Sequence, residues 1–311
     1  MQRKNLFRKI KNKWNEICYS RVVKDIFSQY DDSYFFAYLP QGWGDILFFC
    51  MYVNAFRRTL PPNTHIALII SKPQLFSLAE LYQSSYDDII VLDGMLFKSW
   101  HTNRISYFYP KIYENSDYSE TLLDAVRKAM DVQPEEEPNL PTIAFSDSEC
   151  SKVTELVSNY KKIVLISPDA NSCSKVISEL EWISFADILT LKGYYVYFNC
   201  PPEQKGRFYP YQCIFPSLKE LILLGNKIDL FVGYRSGLCD IIGAFCKCKQ
   251  IVLYPNNRIQ GEFSCIEDYD TNPNEKYMQF CSIKRMFPHC DINEYIISEN
   301  ILRQIGEHIS G

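Results

Sequence analysis

Short apolar segments alternate with longer amphipathic segments from residue 34 onward, and this alternation constrains the fold more than any other feature of the chain. Residues 34–39, 65–70 and 88–92 predict three buried strands, and helices are predicted between them. Strands that alternate with helices are typical of a parallel sheet, because a parallel connection needs a long crossover. The first half of the chain therefore predicts an α/β domain with helices on both faces of its sheet.

The same alternation starts again after a segment that breaks it. Residues 133–141 hold three prolines and three glutamates, which neither a helix interior nor a central strand accommodates. Further strands are predicted, with helices between them, at residues 162–167, 194–198, 229–232 and 250–254. A chain of 311 residues is also long enough for two domains. We therefore predict two Rossmann-like, doubly wound α/β domains.

This interpretation divides the chain into several parts. They are a basic amphipathic N-terminal segment at 1–30, a first Rossmann-like domain at 31–131, a linker region at 132–161, a second Rossmann-like domain at 162–290 and a C-terminal helix at 291–311. The last helix is expected to pack back across the first domain.

Residues 1–30 differ from the rest of the chain in charge. They carry eight basic and two acidic residues, a net charge of +6, whereas the whole chain has a net charge of −4. Leu6, Ile10, Trp14 and Ile17 recur at helical spacing. Such a helix either lies on an anionic membrane surface or packs on its own domain, and the sequence leaves both interpretations open.

The composition excludes several classes of protein. A hydrophobic fraction of 47% and a charged fraction of 23% are typical of a folded soluble protein, and the net charge of −4 argues against a nucleic-acid binder. The 12 cysteines include no CxxC pair, so reduced thiols in the cytoplasm are expected rather than a zinc site or a disulfide framework. No run of 18 apolar residues occurs, so no membrane span is expected.

Candidate functional residues follow the predicted strands, because ligands bind at the carboxyl ends of the strands in open parallel sheets. Gly42, Trp43, Gly44 and Asp45 form the first of these turns. The two glycines let the backbone approach a ligand closely. Asp45 is interpreted either as an acid that stabilises the helix start or as a side chain that faces a ligand, and periodicity alone favours the first.

A second turn holds Asp169 and continues to Lys175, whose ammonium group suits a phosphate. No GxxxxGK[ST] loop and no GxGxxG motif occur, so a P-loop or a dinucleotide-binding protein is not supported.

A third turn follows the predicted strand at 229–232 and contains Arg235, Ser236 and Gly237, with Asp240 one turn later. Ser236 predicts a helix N-cap, and the N–H groups of a helix start favour an anion. Arg235 adds a bidentate donor suited to a diphosphate, and we expect it to hold one rather than pair with a nearby carboxylate. A simply capped helix is the alternative.

At these turns the sequence resembles the bacterial ADP-heptose:lipopolysaccharide heptosyltransferases. The matching segments, in order along residues 34–254, are Gly44-Asp45-Ile46-Leu47, Ala55-Phe56-Arg57-Arg58 with Pro61, Ser167-Pro168-Asp169-Ala170 with Lys175 and Trp182, Leu218-Lys219-Glu220-Leu221, Asp229-Leu230-Phe231-Val232 and Ser236-Gly237-Leu238. The resemblance implies the GT-B architecture, in which two Rossmann-like domains face each other across a cleft. The second domain would then hold the nucleotide, and the first would receive the acceptor.

The sequence departs from the family pattern at three places. Arg235 stands where the family usually has aspartate, and Asp240 stands where it usually has histidine. Lys175 is followed by Val176 and Ile177, without the tryptophan that the family has there. Because these departures fall in the donor-diphosphate site, we expect a nucleotide-activated sugar other than ADP-heptose.

The resemblance implies a glycosyltransferase that needs neither a metal nor a cofactor and acts in bacterial lipopolysaccharide or capsule synthesis. It would move a sugar from a nucleotide-sugar donor to a glycan or lipid-linked acceptor, in the cytoplasm or at the inner face of the cytoplasmic membrane. The expected roles are a catalytic base at Asp45, donor binding by Asp169, Lys175, Arg235, Ser236, Gly237 and Asp240, and an acceptor turn at Gly42, Trp43 and Gly44. The alternatives are another group transferase on this fold, such as a pyruvyl transferase, and a non-catalytic nucleotide-sugar sensor or scaffold.

Overall fold

The computed structural model describes residues 24–39, 42–92, 105–107, 112, 119–170, 176–255 and 273–309. Within these ranges the strands are β1 (Tyr34–Leu39), β2 (His65–Ile70), β3 (Asp88–Val91), β4 (Ile105–Tyr107), β5 (Ile163–Ser167), β6 (Tyr195–Asn199), β7 (Gln212–Ile214), β8 (Leu230–Tyr234), β9 (Lys249–Tyr254) and β10 (Ile292–Ile296). The α-helices there are α1 (Trp43–Thr59), α2 (Phe76–Leu81), α3 (Leu122–Ala129), α4 (Asp147–Val157), α5 (Glu179–Leu191), α6 (Leu218–Gly225), α7 (Gly237–Phe245), α8 (Pro273–Phe280), α9 (Ile283–Met286) and α10 (Ile301–His308).

These strands form two parallel sheets, as the alternation of strands and helices predicts. The first has the order β3-β2-β1-β4 and the second the order β10-β9-β8-β5-β6-β7. Every strand pair is parallel. In the second sheet β5 is central, with β6 and β7 added on one side and β8, β9 and β10 on the other, which is the strand order of a Rossmann fold. The direction of strand addition reverses between β1 and β4 in the first sheet and between β5 and β8 in the second.

Helix α1 is the central helix of the molecule. Eleven of its 17 residues are buried, because it is apolar nearly all round rather than along one stripe. It packs against α2 and α3 beside the first sheet and against α7 beside the second. One continuous cluster of buried side chains therefore joins residues of both sheets.

Local signals in the sequence place several helix ends. Ser178 and Ser217 accept hydrogen bonds from the N–H groups of Glu181 and Glu220, so each serine forms a capping box with its glutamate, at the start of α5 and of α6. Gly193 has a φ of +86°, the left-handed conformation that glycine commonly adopts just after a helix, here α5.

Helix α1, strand β8 and the linker range differ from the sequence-based prediction. Helix α1 begins at Trp43, within the turn predicted at Gly42, Trp43, Gly44 and Asp45, so most of that turn is in fact the first helical turn. Strand β8 continues to Tyr234, two residues beyond its predicted end. The linker range 132–161 contains α4, which packs against α6.

The C-terminal range 291–311 is not a single helix, and its helix does not pack across the first sheet. Strand β10 comes first and pairs with β9, which extends the second sheet. Helix α10 then buries Ile301, Leu302 and Ile305 and packs against α5. The apolar face of α10 is covered by α5, because β10 belongs to the second sheet and the chain continues from it into α10.

The basic N-terminal segment lies outside the described residues as far as residue 23. Beyond it, Ile26 and Phe27 pack on the first sheet, and the ring centroids of Phe27 and Phe36 are 4.4 Å apart. Among the residues that the structure describes, no helix combines the length and the apolar character needed to cross a membrane.

Candidate active site

The two places where strand order reverses are joined by a direct contact between helices. Helix α1 follows β1, and helix α7 follows β8, so the amino-terminal end of each helix lies at a carboxyl strand end. A methyl group on Gly237 would lie 2.6 Å from the backbone nitrogen of Gly44 and 3.0 Å from Trp43 Cβ. Only glycines therefore allow these two helix starts to meet. Ligands of open parallel sheets bind at such reversal points, which makes this junction the candidate site.

Asp45 is the third residue of α1 and does cap its helix. The N–H of Gly42 donates to Asp45 Oδ2 at 3.1 Å, which confirms the interpretation of Asp45 as a helix-start acid. The side chain is nevertheless only half-buried. Burial and the nearby Asp240 carboxylate raise the pKa of Asp45 to about 6. The hydrogen bond from Gly42 and the charge of Arg235 lower this pKa, but by less. A carboxylate with this pKa can accept a proton close to neutral pH.

Arg235 and Asp240 form a buried ion pair, and this contradicts the expectation that Arg235 pairs with no carboxylate. Arg235 Nη2 lies 2.8 Å from Asp240 Oδ1, and Arg235 Nη1 donates to Asp240 Oδ2 at 3.0 Å. The two residues are only 5% and 2% exposed. Burial raises the pKa of Asp240 and the Arg235 guanidinium opposes that rise. A carboxylate this deeply buried needs a partner, and the guanidinium supplies one hydrogen bond to Oδ2 and a close ionic contact to Oδ1.

Two further donors of Arg235 also meet protein oxygens. Nε donates to the carbonyl oxygen of Cys281 at 2.8 Å, and Nη1 donates to that of Ser236 at 2.8 Å. Two of the three departures from the heptosyltransferase pattern, the cation at 235 and the acid at 240, are thus partners of each other. The structure gives Arg235 a role in holding Asp240 instead of an open position for a diphosphate.

Cys281 belongs to a segment that sequence reasoning missed. Tyr254 donates to the Cys281 carbonyl oxygen at 3.0 Å, and Glu294 accepts from the N–H of Ile283 at 2.7 Å and from Ser282 Oγ at 2.6 Å. These bonds tie the segment before α9 to β9 and β10. No local pattern predicts them, because the partners are distant along the chain.

The structure places the other predicted donor residues at the same edge of the second sheet, with one exception. Ser236 occupies the N-cap position of α7, as predicted, but its side chain makes no capping hydrogen bond. Gly237 begins α7 and packs against Gly44. Asp169 follows β5. Lys175 lies outside the described residues.

Asp169 pairs with a residue that the sequence analysis did not consider, Arg207. The Arg207 guanidinium bonds Asp169, and it also donates to Glu179 Oε1 at 2.6 Å and to Gln204 Oε1 at 2.9 Å. Arg207 lies in the segment after β6, which is also a carboxyl strand end. The rule that led to the other turns could therefore have found it.

A pocket lies away from this junction. It has a volume of about 410 Å³ and is formed where α1 ends and β2 begins. Arg57 pairs there with Asp87 at 3.0 Å, and His65 Nδ1 lies 3.1 Å from the same carboxylate. Among the described residues no group of three or more His, Cys, Asp or Glu could hold a metal ion.

Two solved glycosyltransferases have similar structures. The glycosyl transferase family 9 protein from Veillonella parvula matches with a TM-score of 0.58 over 89% of each chain, at 13% identity. The E. coli ADP-heptose LPS heptosyltransferase II matches with a TM-score of 0.51 over 88% of this chain and 96% of its own, at 10% identity. No family model and no curated protein matches the sequence. This chain therefore has a parallel α/β fold similar to that of glycosyltransferases of the heptosyltransferase type, as the sequence resemblance predicted.

Proposed function

We propose that the chain is a glycosyltransferase of the GT-B arrangement, with its active site in a cleft where α1 and α7 meet. It transfers a sugar from a nucleotide-sugar donor to a hydroxyl group of a glycan or lipid-linked acceptor in bacterial lipopolysaccharide or capsule synthesis. The observation that carries the proposal is the half-buried carboxyl group of Asp45, whose pKa is about 6, at the junction of both strand-order reversals. The similarity to solved glycosyltransferases supports it.

The reaction is a direct displacement. The Asp45 carboxylate takes the proton of the acceptor hydroxyl while the hydroxyl oxygen forms its bond to the anomeric carbon, and the bond to the diphosphate breaks. A positioned base contributes ~10²–10⁴-fold to such a rate. The acceptor lies against Gly42, Trp43 and Gly44, on the side of the first sheet.

The donor lies on the side of the second sheet. Lys175 and the N–H groups at Ser236 and Gly237 stabilise the negative charge that develops on the leaving diphosphate, since fixed donors act strongly where charge forms. Asp169 contributes to the donor site through its ion pair with Arg207, which holds the guanidinium at this edge of the sheet.

The proposed location is cytoplasmic, at the inner face of the cytoplasmic membrane, where a lipid-linked acceptor is found. Support comes from the excess of basic residues in the N-terminal segment, which has a net charge of +6 over residues 1–30. Basic residues are each worth ~1 kcal/mol near an anionic surface.

A non-catalytic nucleotide-sugar binder is the second candidate. The observation that favours it is the pairing of Arg235 with Asp240, which removes a guanidinium from the donor diphosphate. This candidate predicts donor binding without turnover, whereas the glycosyltransferase predicts both.

A two-stage experiment tests the proposal. Thermal unfolding is first measured with UDP-, GDP-, ADP-, CMP- and dTDP-sugars, with nucleoside monophosphates as controls. A donor at a hundred times its Kd stabilises the fold by ~2.7 kcal/mol. Transfer and hydrolysis of the stabilising donor are then followed. Stabilisation without either reaction supports the binder, and the absence of stabilisation by every donor contradicts both candidates.

A further inference from the structure

We propose that the Arg235–Asp240 ion pair is a positioning unit that acts across the junction of α1 and α7 and sets the charge state and orientation of the Asp45 carboxylate. This inference rests on the proposed function, in which Asp45 is the base. It assigns to Arg235 and Asp240 a role through another residue rather than contact with the donor.

The contact between Asp240 and α1 is the first step. A methyl group on Gly44 would overlap Asp240 Oδ2 and would lie 3.6 Å from Gly237 Cα. The Asp240 carboxylate thus lies against the residue that precedes Asp45. Its position is also held from the other side, because Arg235 Nη1 donates to the same oxygen at 3.0 Å. Movement of the pair would therefore displace the first turn of α1.

The charges around Asp45 are the second step. Asp240 on α7 is a like charge, and Arg235 at the end of β8 is an opposite charge. From the segment before α9, the buried Cys281 thiol is the remaining titratable group that interacts with Asp45 among the described residues. On α1 itself the N–H of Gly42 donates to the carboxylate. Burial and Asp240 together oppose ionisation of Asp45, and Arg235 limits their effect.

The permanent charge of Arg235 is the third step. Arginine is not deprotonated in proteins, so the guanidinium keeps its charge at every pH at which Asp45 titrates. The pair is also closed off from solvent, and the electric field of buried charges is screened less than that of exposed charges. Asp45 is only half-buried whereas Asp240 is closed off from solvent, so Asp45 is the carboxyl group of this junction that an acceptor can reach.

The test compares the wild type with the double variant Arg235→Met/Asp240→Leu. Asp240→Asn alone leaves a buried guanidinium without its carboxylate and can prevent folding. Replacement of a whole buried ion pair by apolar side chains is commonly tolerated, so we expect the double variant to fold. Lys152→Met/Glu220→Gln is the matched control, because it removes an ion pair of 2.8 Å between α4 and α6.

Two readouts are measured in each protein. The titration of the Asp45 carboxyl carbon is followed by NMR, with the signal assigned by Asp45→Asn, and the pH profile of kcat/KM is recorded where transfer occurs. In the double variant we expect the Asp45 midpoint and the acidic limb of the profile to move together to lower pH by about half a unit, because Asp240 raises the pKa of Asp45 by more than Arg235 lowers it. The control should leave both unchanged.

The outcomes separate the two proposals. If transfer occurs in the wild type but the double variant titrates and turns over with the wild-type pH dependence, the positioning role is wrong and the proposed function stands. If no donor is transferred but the Asp45 midpoint still moves, the electrostatic coupling is supported and the proposed function fails.

Discussion

Asp45→Asn is the substitution that best separates a catalytic base from a helix cap. The amide oxygen of asparagine can accept the N–H of Gly42, which Asp45 Oδ2 now accepts at 3.1 Å. The same change removes the proton acceptor. As a base, Asp45 should therefore lose ~10²-fold or more in transfer rate on substitution.

Asp45→Asn is expected to lower the transfer rate but not the stability of the fold. Folding raises the pKa of Asp45 from 3.8 to about 6, so between these pH values the folded chain binds more protons than the unfolded chain. The free energy of unfolding therefore falls as the pH rises through this window, and ionised Asp45 costs at most about 3 kcal/mol above it. Asparagine removes that cost. The melting temperature at neutral pH should stay equal or rise.

Transfer rate and thermal unfolding are measured together at neutral pH with the donor that stabilises the wild type. Asp124→Asn is the matched control, because Asp124 has the same place in the capping box of α3 and accepts from the Thr121 N–H at 3.3 Å. It should leave the rate unchanged. A rate within about threefold of wild type for Asp45→Asn, far short of the general-base range, would refute the reasoning.

Three further predictions follow from the junction and from the N-terminal segment. The transfer rate should fall as the pH drops below about 6, because protonated Asp45 cannot accept a proton; a rate independent of pH in this range contradicts the role. Gly44→Ala should lower the free energy of unfolding by roughly 1–3 kcal/mol, because its methyl group overlaps Asp240, whereas Gly206→Ala meets no atom within 4 Å and should change little; equal melting temperatures would show that the junction relaxes. A chain that lacks residues 1–23 should bind anionic vesicles more weakly than the full chain in co-sedimentation at low salt, and the difference should shrink at high salt. This deletion spares Phe27, which packs on the first sheet, and equal binding by both chains ends the membrane proposal.

Much of the fold is predictable because its signals are local. The bounds of β1 and β2 agree with the prediction, since apolar runs between turn residues set the ends of buried strands. The capping box at Ser217 and the left-handed Gly193 are likewise properties of a few consecutive residues. The repeated alternation of strands and helices, together with the preference for right-handed crossovers, leads to two parallel sheets. The turns that hold the candidate site follow from that topology.

The partners within the site were not predictable in this way. Arg235 with Asp240, Arg235 with the Cys281 carbonyl oxygen and Asp169 with Arg207 join residues whose separations along the chain follow no helical or strand period. The sequence by itself determined which residues stand at the ends of the strands. Only the tertiary structure decided that α1 and α7 contact each other at Gly44 and Gly237, and that Arg235 pairs there with the Asp240 carboxylate. The physical reason is that burial excludes water from the junction, and a charge without water must take the nearest opposite charge that packing provides.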